Sequence, residues 1–127
     1  MKKLLILLFS ILISFNSYGE WTKITENVTW GDTFYIDYDT IKSHNGYVYY
    51  WGLSDYLAPT ESGHMSAKIY YQSDCGLDRM KYVSGTFYSE SMGKGTISTS
   101  PPPDDWMYPP PDSVYGFILD SVCDYVE

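Results

Sequence analysis

The sequence predicts an α+β fold: a small antiparallel β-sheet with one C-terminal α-helix packed on it, and one disulfide. Short runs rich in tyrosine and β-branched residues are separated by short connections, which favours antiparallel strands. Close to the C-terminus, apolar residues recur at helical spacing. The chain also contains two cysteines, Cys75 and Cys123, and both lie in the part predicted to be exported. A length of 127 residues fits one domain.

The first 19 residues have the pattern of a cleaved signal peptide. Lys2 and Lys3 precede an apolar run, and Ser17-Tyr18-Gly19 places small residues before a cleavage site at Glu20. The run is shorter than the roughly 20 residues of a membrane span, so we expect no stable membrane anchor. No cysteine ends this leader, so we expect no lipoprotein. The predicted organisation is a signal peptide at 1–19 and one exported domain at 20–127, located in the periplasm, secreted or at the cell surface.

The charge balance narrows the classes of partner. Eight Lys and Arg residues stand against 16 Asp and Glu residues, and removing Lys2 and Lys3 would leave six cations and a formal charge of −10. Such an acidic surface repels phosphate backbones and anionic lipid headgroups. We therefore expect no nucleic-acid partner and no simple electrostatic binding to membranes.

Strands are predicted where apolar and polar residues alternate and where β-branched and aromatic residues are frequent. They are predicted at Trp21–Ile24, Thr33–Tyr38, Tyr47–Leu53, Ser66–Cys75, Arg79–Tyr88 and Thr96–Ser98. Asn45-Gly46 is a strong hairpin-turn signal because both residue types tolerate positive φ. Large side chains occupy both faces of Tyr47–Leu53, which predicts a strand that is central or covered on both sides.

The C-terminal part begins with six prolines in residues 101–111, which exclude a helix or a central strand there. An extended segment across the surface is expected, with Trp106 and Tyr108 held outwards between two triprolines. Helical spacing then predicts a helix from about Ser113 to Cys123, begun by Asp112 or Ser113. Gly116 should weaken this helix by roughly 1 kcal/mol relative to Ala.

An even number of cysteines in an oxidising compartment predicts a disulfide between Cys75 and Cys123. It would close a loop of 48 positions, and chain entropy then gives roughly 4 kcal/mol of stabilisation. The chain has no C-x-x-C motif, so we expect neither a redox nor a metal role for the cysteines, and no cofactor.

The order of several residues gives a family resemblance. They are Trp21, Tyr35-Ile36-Asp37, Val48, Trp51-Gly52-Leu53, Cys75, Met92-Gly93, Trp106, Pro111 and Cys123. With them the chain resembles the surface-adhesin protein E family of bacterial envelope proteins. The resemblance implies a small antiparallel sheet, a C-terminal helix and a disulfide. It also implies a protein that binds extracellular-matrix or envelope proteins and that can form a homodimer.

Aromatic residues are in excess: 14 tyrosines, one of them Tyr18, and four tryptophans. Several must be exposed, and exposed tyrosine and tryptophan are typical of recognition surfaces. The predicted binding surface comprises Tyr47, Tyr49, Trp51, Tyr70, Tyr82, Trp106 and Tyr108, with Tyr70 and Tyr82 on the outer face of neighbouring strands. The alternative, equally open for any single ring, is that it fills the core or covers the helix.

The sequence does not predict an enzyme. Asp37 with Asp39, or either of His44 and His64, would be the starting point for catalysis, but solvated acids and exposed loop histidines are the more common case. No phosphate-binding loop or nucleophile elbow is present. The expected function is that of an exported, non-enzymatic binding domain. The alternative is a periplasmic structural or envelope-assembly protein without adhesin activity.

Overall fold

The computed structural model describes residues 20–126, so the predicted signal peptide at 1–19 lies outside the described residues. One six-stranded sheet and one helix make up the fold, which confirms the predicted class. The elements are β1 (Thr22–Glu26), β2 (Thr33–His44), β3 (Tyr47–Asp55), β4 (Ser66–Asp74), β5 (Arg79–Glu90), β6 (Lys94–Thr99) and α1 (Val114–Val126). Each strand pairs antiparallel with the next in the chain, so β3 and β4 are central.

β2 is longer than predicted, because side chains form hydrogen bonds with the backbone at an irregularity between Asp37 and Lys42 and the strand continues beyond it. The Asp39 N–H donates to Asp37 Oδ1 at 3.1 Å, and Thr40 Oγ1 donates to the Asp37 carbonyl at 2.7 Å. The Trp51 N–H of β3 then donates to Thr40 Oγ1 at 3.0 Å. Because these bonds replace missing ladder bonds, β2 regains its pairing with β3 and continues to the turn at Asn45-Gly46.

α1 begins after Ser113, whose Oγ accepts a hydrogen bond from the Gly116 N–H at 3.1 Å. Ser113 is therefore the N-cap. The helix ends at Val126, three residues beyond the predicted end at Cys123. Gly116 has a role that helix propensity alone did not indicate: a Cβ at this position would lie 2.6 Å from the carbonyl oxygen of Pro110. A glycine lets the proline-rich segment pass close to the first turn.

The core lies between α1 and one face of the sheet, which we call the inner face. Its buried members are Phe34, Ile36, Val48, Tyr50, Ala67, Ile69, Tyr71 and Met80 of the sheet with Ile118, Leu119 and Val122 of the helix. The predicted disulfide is present: Cys75, just after β4, is bonded to Cys123 of α1, with an S–S distance of 2.06 Å. The bond ties the helix to the end of a central strand.

Two tyrosines of the inner face, Tyr50 and Tyr82, have hydrogen-bond partners for their hydroxyls. Tyr50 and Ser73 share a hydrogen bond of 2.7 Å, and so do Tyr82 and Tyr115. Burial is the main reason that the pKa values of Tyr50, Tyr71 and Tyr82 lie above that of a free tyrosine. The inner face thus buries polar groups without leaving them unpaired.

Candidate binding face

The sheet face opposite the helix, the outer face, carries half-buried aromatic side chains. Cross-strand pairing places Tyr35 with Leu53, Asp37 with Trp51, and Trp51 with Tyr70 on this face. Within residues 20–126, no helix packs on this face, although Leu53 at its centre is only 1% exposed. Large, partly exposed rings on a face without a helix are typical of interaction surfaces.

A central aromatic cluster, consisting of Tyr49, Trp51 and Tyr70, lies on β3 and β4. Tyr49 and Tyr70 are stacked with ring centroids 6.0 Å apart, and the Trp51 ring lies 5.0 Å from that of Tyr70. All three residues belong to the predicted binding surface, and the structure brings their rings together on one face. Because the rings support one another, they present apolar area with little freedom left to lose on binding.

Trp106 lies against the outer face rather than pointing outwards, so the expectation that the prolines hold it away from the surface is wrong. Met107 makes two backbone hydrogen bonds with Met80, of 2.7 and 2.9 Å, which pin the proline-rich segment along β5. The Trp106 ring then lies 5.7 Å from that of Tyr47 and 4.1 Å from the Arg79 guanidinium. Tyr108 is different, being 65% exposed.

The expectation that Tyr82 lies on the outer face with Tyr70 is also wrong. Tyr82 pairs with Tyr71, its ring packs edge-on against that buried ring at 5.4 Å, and its hydroxyl bonds to Tyr115 of the helix. The physical reason is the register of the β4–β5 hairpin: Met80 pairs with Ser73 and Tyr82 with Tyr71, so Tyr82 shares the face of the buried Met80. A bulge follows, because Tyr70 faces Ser84, and the extra residue in β5 reverses the faces of the residues after it. Tyr82 therefore belongs to the inner face.

Beyond the bulge, Tyr88 points to the outer face and forms part of a recess of about 250 Å³, which we call the lysine recess. Its lining is Trp21, Asp37, Thr40, Trp51, Lys68, Thr86 and Tyr88. The Lys68 ammonium lies 5.3 Å from the centre of the Tyr88 ring and 5.9 Å from that of Trp21. Sequence reasoning missed this recess as a site, because residues of four strands, β2 to β5, build it together with Trp21.

The turn between β5 and β6 fixes the lysine of the recess. The Met92 N–H donates to Asp55 Oδ1 at 2.8 Å, and the Gly93 N–H donates to Ser66 Oγ at 2.9 Å. Gly93 has a φ of +71°, and a Cβ there would lie 2.6 Å from Lys68 Cε. The turn therefore closes against the lysine side chain only because position 93 has no side chain.

The outer face concentrates positive charge on an acidic protein. By strand pairing, this face carries Lys42, Lys68, Arg79 and Lys81, together with Lys23, which lies opposite Tyr35. Arg79 pairs with Asp74 at 3.0 Å, and Lys81 with the exposed Asp104 at 3.5 Å. By contrast, α1 carries Asp120 and Asp124 and no Lys or Arg.

The acids and histidines considered for catalysis do not converge. Asp37 is buried in the recess, whereas Asp39 is exposed at the irregularity of β2. His44 pairs with Tyr47 at one end of the sheet. His64 stacks on Phe87 with ring centres 5.1 Å apart, beside Met65, which lies next to the opposite end of β3. The geometry thus assembles a binding face, and these four residues do not share one cleft.

The model of the surface-adhesin protein E family matches residues 21–124. The chain belongs to this family. The match covers the whole sheet and nearly all of α1, so the residues that build the outer face lie within it. No curated protein matches the sequence. Among residues 20–126, no helix is long and apolar enough to span a bilayer.

Solved structures with the same fold include those of protein E from Haemophilus influenzae. Crystal form II of that protein superposes with a TM-score of 0.64 at 19% sequence identity, covering 83% of this chain and 87% of the other. A second structure of the H. influenzae protein gives 0.57 at 19% identity, covering 83% and 84%. The protein from a non-typeable H. influenzae gives 0.56 at 19% identity, covering 84% and 77%. At this identity the likeness establishes the fold alone.

Proposed function

We propose that this protein is an exported, non-enzymatic binding domain that recognises an extracellular or envelope protein through its outer face. The observation that carries the proposal is the central aromatic cluster: Tyr49, Trp51 and Tyr70 are large, mutually supported and partly exposed. Tyrosine and tryptophan are enriched at binding hot spots because they bury much area and keep a polar group. The membership of an adhesin family supports a non-enzymatic role.

The charges suggest how the outer face would orient a partner. Lys42 and Lys68 form no ion pair within the described residues, so both can meet acidic groups. The helix side, with Asp120 and Asp124, would repel the same acidic groups. Such complementarity sets orientation and association rate more than affinity. A protein with an acidic patch around an apolar centre fits the outer face best.

The test is surface plasmon resonance of the purified protein against a panel of purified extracellular-matrix and serum proteins. For a partner that binds, the double variant Tyr49→Ala/Tyr70→Ala should bind at least about tenfold more weakly, because two hot-spot rings are lost. Tyr125→Ala is the matched control: it removes an exposed tyrosine from the helix side, where Tyr125 packs 5.1 Å from Tyr38. If the double variant binds as well as the parent, the proposal fails.

Export and location are tested separately. We infer from residues 1–19 that the chain is exported and cleaved before Glu20. The mass of the protein recovered from the producing cells gives the cleavage site directly, and fractionation gives the location. Protein found only in the periplasm would argue against adhesion and for the structural alternative.

One observation favours that alternative, an envelope-assembly protein that forms a homodimer. All six residues of β6 are exposed, Ile97 is 65% exposed, and within the described residues one edge of this strand is unpaired. Unprotected edges pair with other strands. A homodimer through β6 should be lost in an Ile97→Lys variant, as measured by analytical ultracentrifugation. A dimer that persists unchanged would exclude this edge as the interface.

A further inference from the structure

We propose that the lysine recess binds one anionic sugar ring, such as a uronic acid residue within an acidic polysaccharide. This inference goes beyond the proposed function, because the ligand is a carbohydrate and the site is the recess rather than the central aromatic cluster. The two surfaces share only Trp51. Three features of the recess lead to this ligand class: a fixed cation, flat apolar walls and a buried acceptor.

The cation is Lys68, which within residues 20–126 has no carboxylate partner. Its ammonium is held over the rings of Trp21 and Tyr88 instead, and the turn at Gly93 closes against its side chain. Cation–π contacts leave part of the ammonium free to donate hydrogen bonds. A carboxylate or sulfate entering the recess would therefore meet a positioned donor that needs no large rearrangement.

The walls of the recess are mainly aromatic. Trp21, Trp51 and Tyr88 all contribute to the lining, whereas aliphatic side chains contribute little beyond the stem of Lys68. The C–H groups on one face of a pyranose are apolar, and they pack well on a flat ring that excludes water. An aspartate or glutamate side chain has no comparable face to offer.

The acceptor is Asp37, which is only 8% exposed yet lines the recess. Its Oδ1 accepts the Asp39 N–H, and its second carboxylate oxygen has no hydrogen-bond partner among the described residues. An ionised carboxylate only accepts hydrogen bonds. A ligand that serves both Lys68 and Asp37 must therefore carry an anionic group and a hydrogen-bond donor, and a uronic acid has both, as its carboxylate and its hydroxyls, on one ring.

The size of the recess fits one sugar residue of a chain. Its volume of about 250 Å³ lies below the usual range for pockets that hold drug-sized ligands. An acidic peptide would satisfy Lys68 and could offer a backbone N–H to Asp37, but it has no flat apolar face to set against the aromatic walls. The combination of groups thus favours a sugar acid over a peptide.

The experiment is calorimetric titration of the purified protein with a tetrasaccharide of alternating glucuronic acid and N-acetylglucosamine. Tryptophan fluorescence is followed in parallel, because Trp21 and Trp51 line the recess. We expect saturable binding with a change in fluorescence. The same tetrasaccharide with its carboxyls reduced to alcohols should bind about tenfold more weakly, since it loses a charge-assisted hydrogen bond.

Variants locate the site. Lys68→Met keeps the apolar stem and removes the charge, and we expect about tenfold weaker binding of the glucuronate probe. Lys42→Met is the matched control: it removes one cation from the outer face outside the recess, and it should change binding less than about twofold. Trp21→Ala, a change just before β1, should also weaken binding without unfolding the protein.

Three results would overturn the inference. They are the absence of saturable binding at about 10 mM probe, equal losses in Lys68→Met and Lys42→Met, or tighter binding of a hexaglutamate peptide than of the tetrasaccharide. The outcome is separable from the proposed function. The Tyr49→Ala/Tyr70→Ala variant should lose the protein partner while it keeps the tetrasaccharide, so either result stands without the other.

Discussion

On the inner face of the sheet, Tyr50 and Tyr71 are 0% and 2% exposed, whereas their neighbours Tyr49 and Tyr70 are half-buried on the outer face. Each face holds a stacked pair: Tyr50 with Tyr71 at 5.3 Å, and Tyr49 with Tyr70 at 6.0 Å. Inside, both rings are buried under α1, and the Tyr50 hydroxyl bonds to Ser73. Outside, the rings lie beside cations and solvent. One residue type therefore serves the core on one side and a binding surface on the other.

The difference teaches that the stability of this protein depends mainly on one face. The inner face unites the core cluster, α1 and the Cys75–Cys123 disulfide. Changes to the outer face should mostly alter binding, and changes to the inner face should mostly alter stability.

The largest effect is expected at alkaline pH, where the inner face should unfold. Burial raises the pKa values of Tyr50, Tyr71 and Tyr82 above the value of 10.0 for a free tyrosine. The folded state thus holds these protons more tightly than the unfolded state. Their contribution is fully present below about pH 10 and falls as the pH rises above it. Urea unfolding followed by circular dichroism should show a much lower midpoint at about pH 11 than at about pH 8. Equal midpoints would contradict the burial of these tyrosines on the inner face.

The next effect comes from truncating two adjacent tyrosines on opposite faces. Tyr71→Ala leaves a large cavity beneath α1 and should lower the free energy of unfolding by about 3 to 5 kcal/mol. Tyr70→Ala removes a half-buried ring and should cost about 1 kcal/mol or less. Chemical denaturation of both variants measures the difference. Similar losses in the two variants would show that the faces do not differ in this way.

Removal of the disulfide should cost roughly 4 kcal/mol, because it frees a loop of 48 positions in the unfolded chain. The Cys75→Ala/Cys123→Ala variant and the reduced parent should unfold at similar, lower urea concentrations. Molecules that stay folded should keep their affinity for a ligand of the outer face, since neither cysteine lies there. The intact parent should resist alkylation until a reductant is added; two thiols that react without it would exclude the bond.

The smallest effect concerns single hydroxyls. Tyr50→Phe leaves the buried Ser73 hydroxyl without its 2.7 Å partner and should cost about 1 to 2 kcal/mol. Tyr70→Phe, on the outer face, should change stability by less than about 0.5 kcal/mol. Differential scanning calorimetry resolves this contrast. If Tyr50→Phe leaves the free energy of unfolding unchanged, the buried hydrogen bond makes no net contribution to stability.

Local patterns predicted the architecture well because each strand is read from adjacent residues. Alternation located the strands, the Asn45-Gly46 turn set the β2–β3 hairpin, and the cysteines tied the helix to β4. The face of the sheet on which each side chain lies was harder to predict. One extra residue in β5 reverses the faces of the residues that follow it. Gly85, a glycine inside a strand pattern, was the available signal for that bulge.

The lysine recess could not be predicted from the sequence for a similar reason. Trp21, Asp37 and Lys68 are distant in the chain and come together only through the register of β2, β3 and β4. Trp106 was misplaced because nothing in the proline pattern indicates the backbone bonds between Met80 and Met107. Composition revealed an excess of aromatic residues, whereas tertiary pairing decided which of them are available to a ligand.

The central claim is that the outer face binds a protein partner, whereas the inner face stabilises the fold. Hydroxyl-radical footprinting of the protein, with and without a bound matrix or serum protein, tests it most directly. Mass spectrometry then reports the oxidation of each tyrosine and tryptophan. The account predicts protection at Tyr49, Trp51 and Tyr70, and no change at Tyr125 on the helix side. Protection at Tyr125 with unchanged oxidation of those three residues would contradict it.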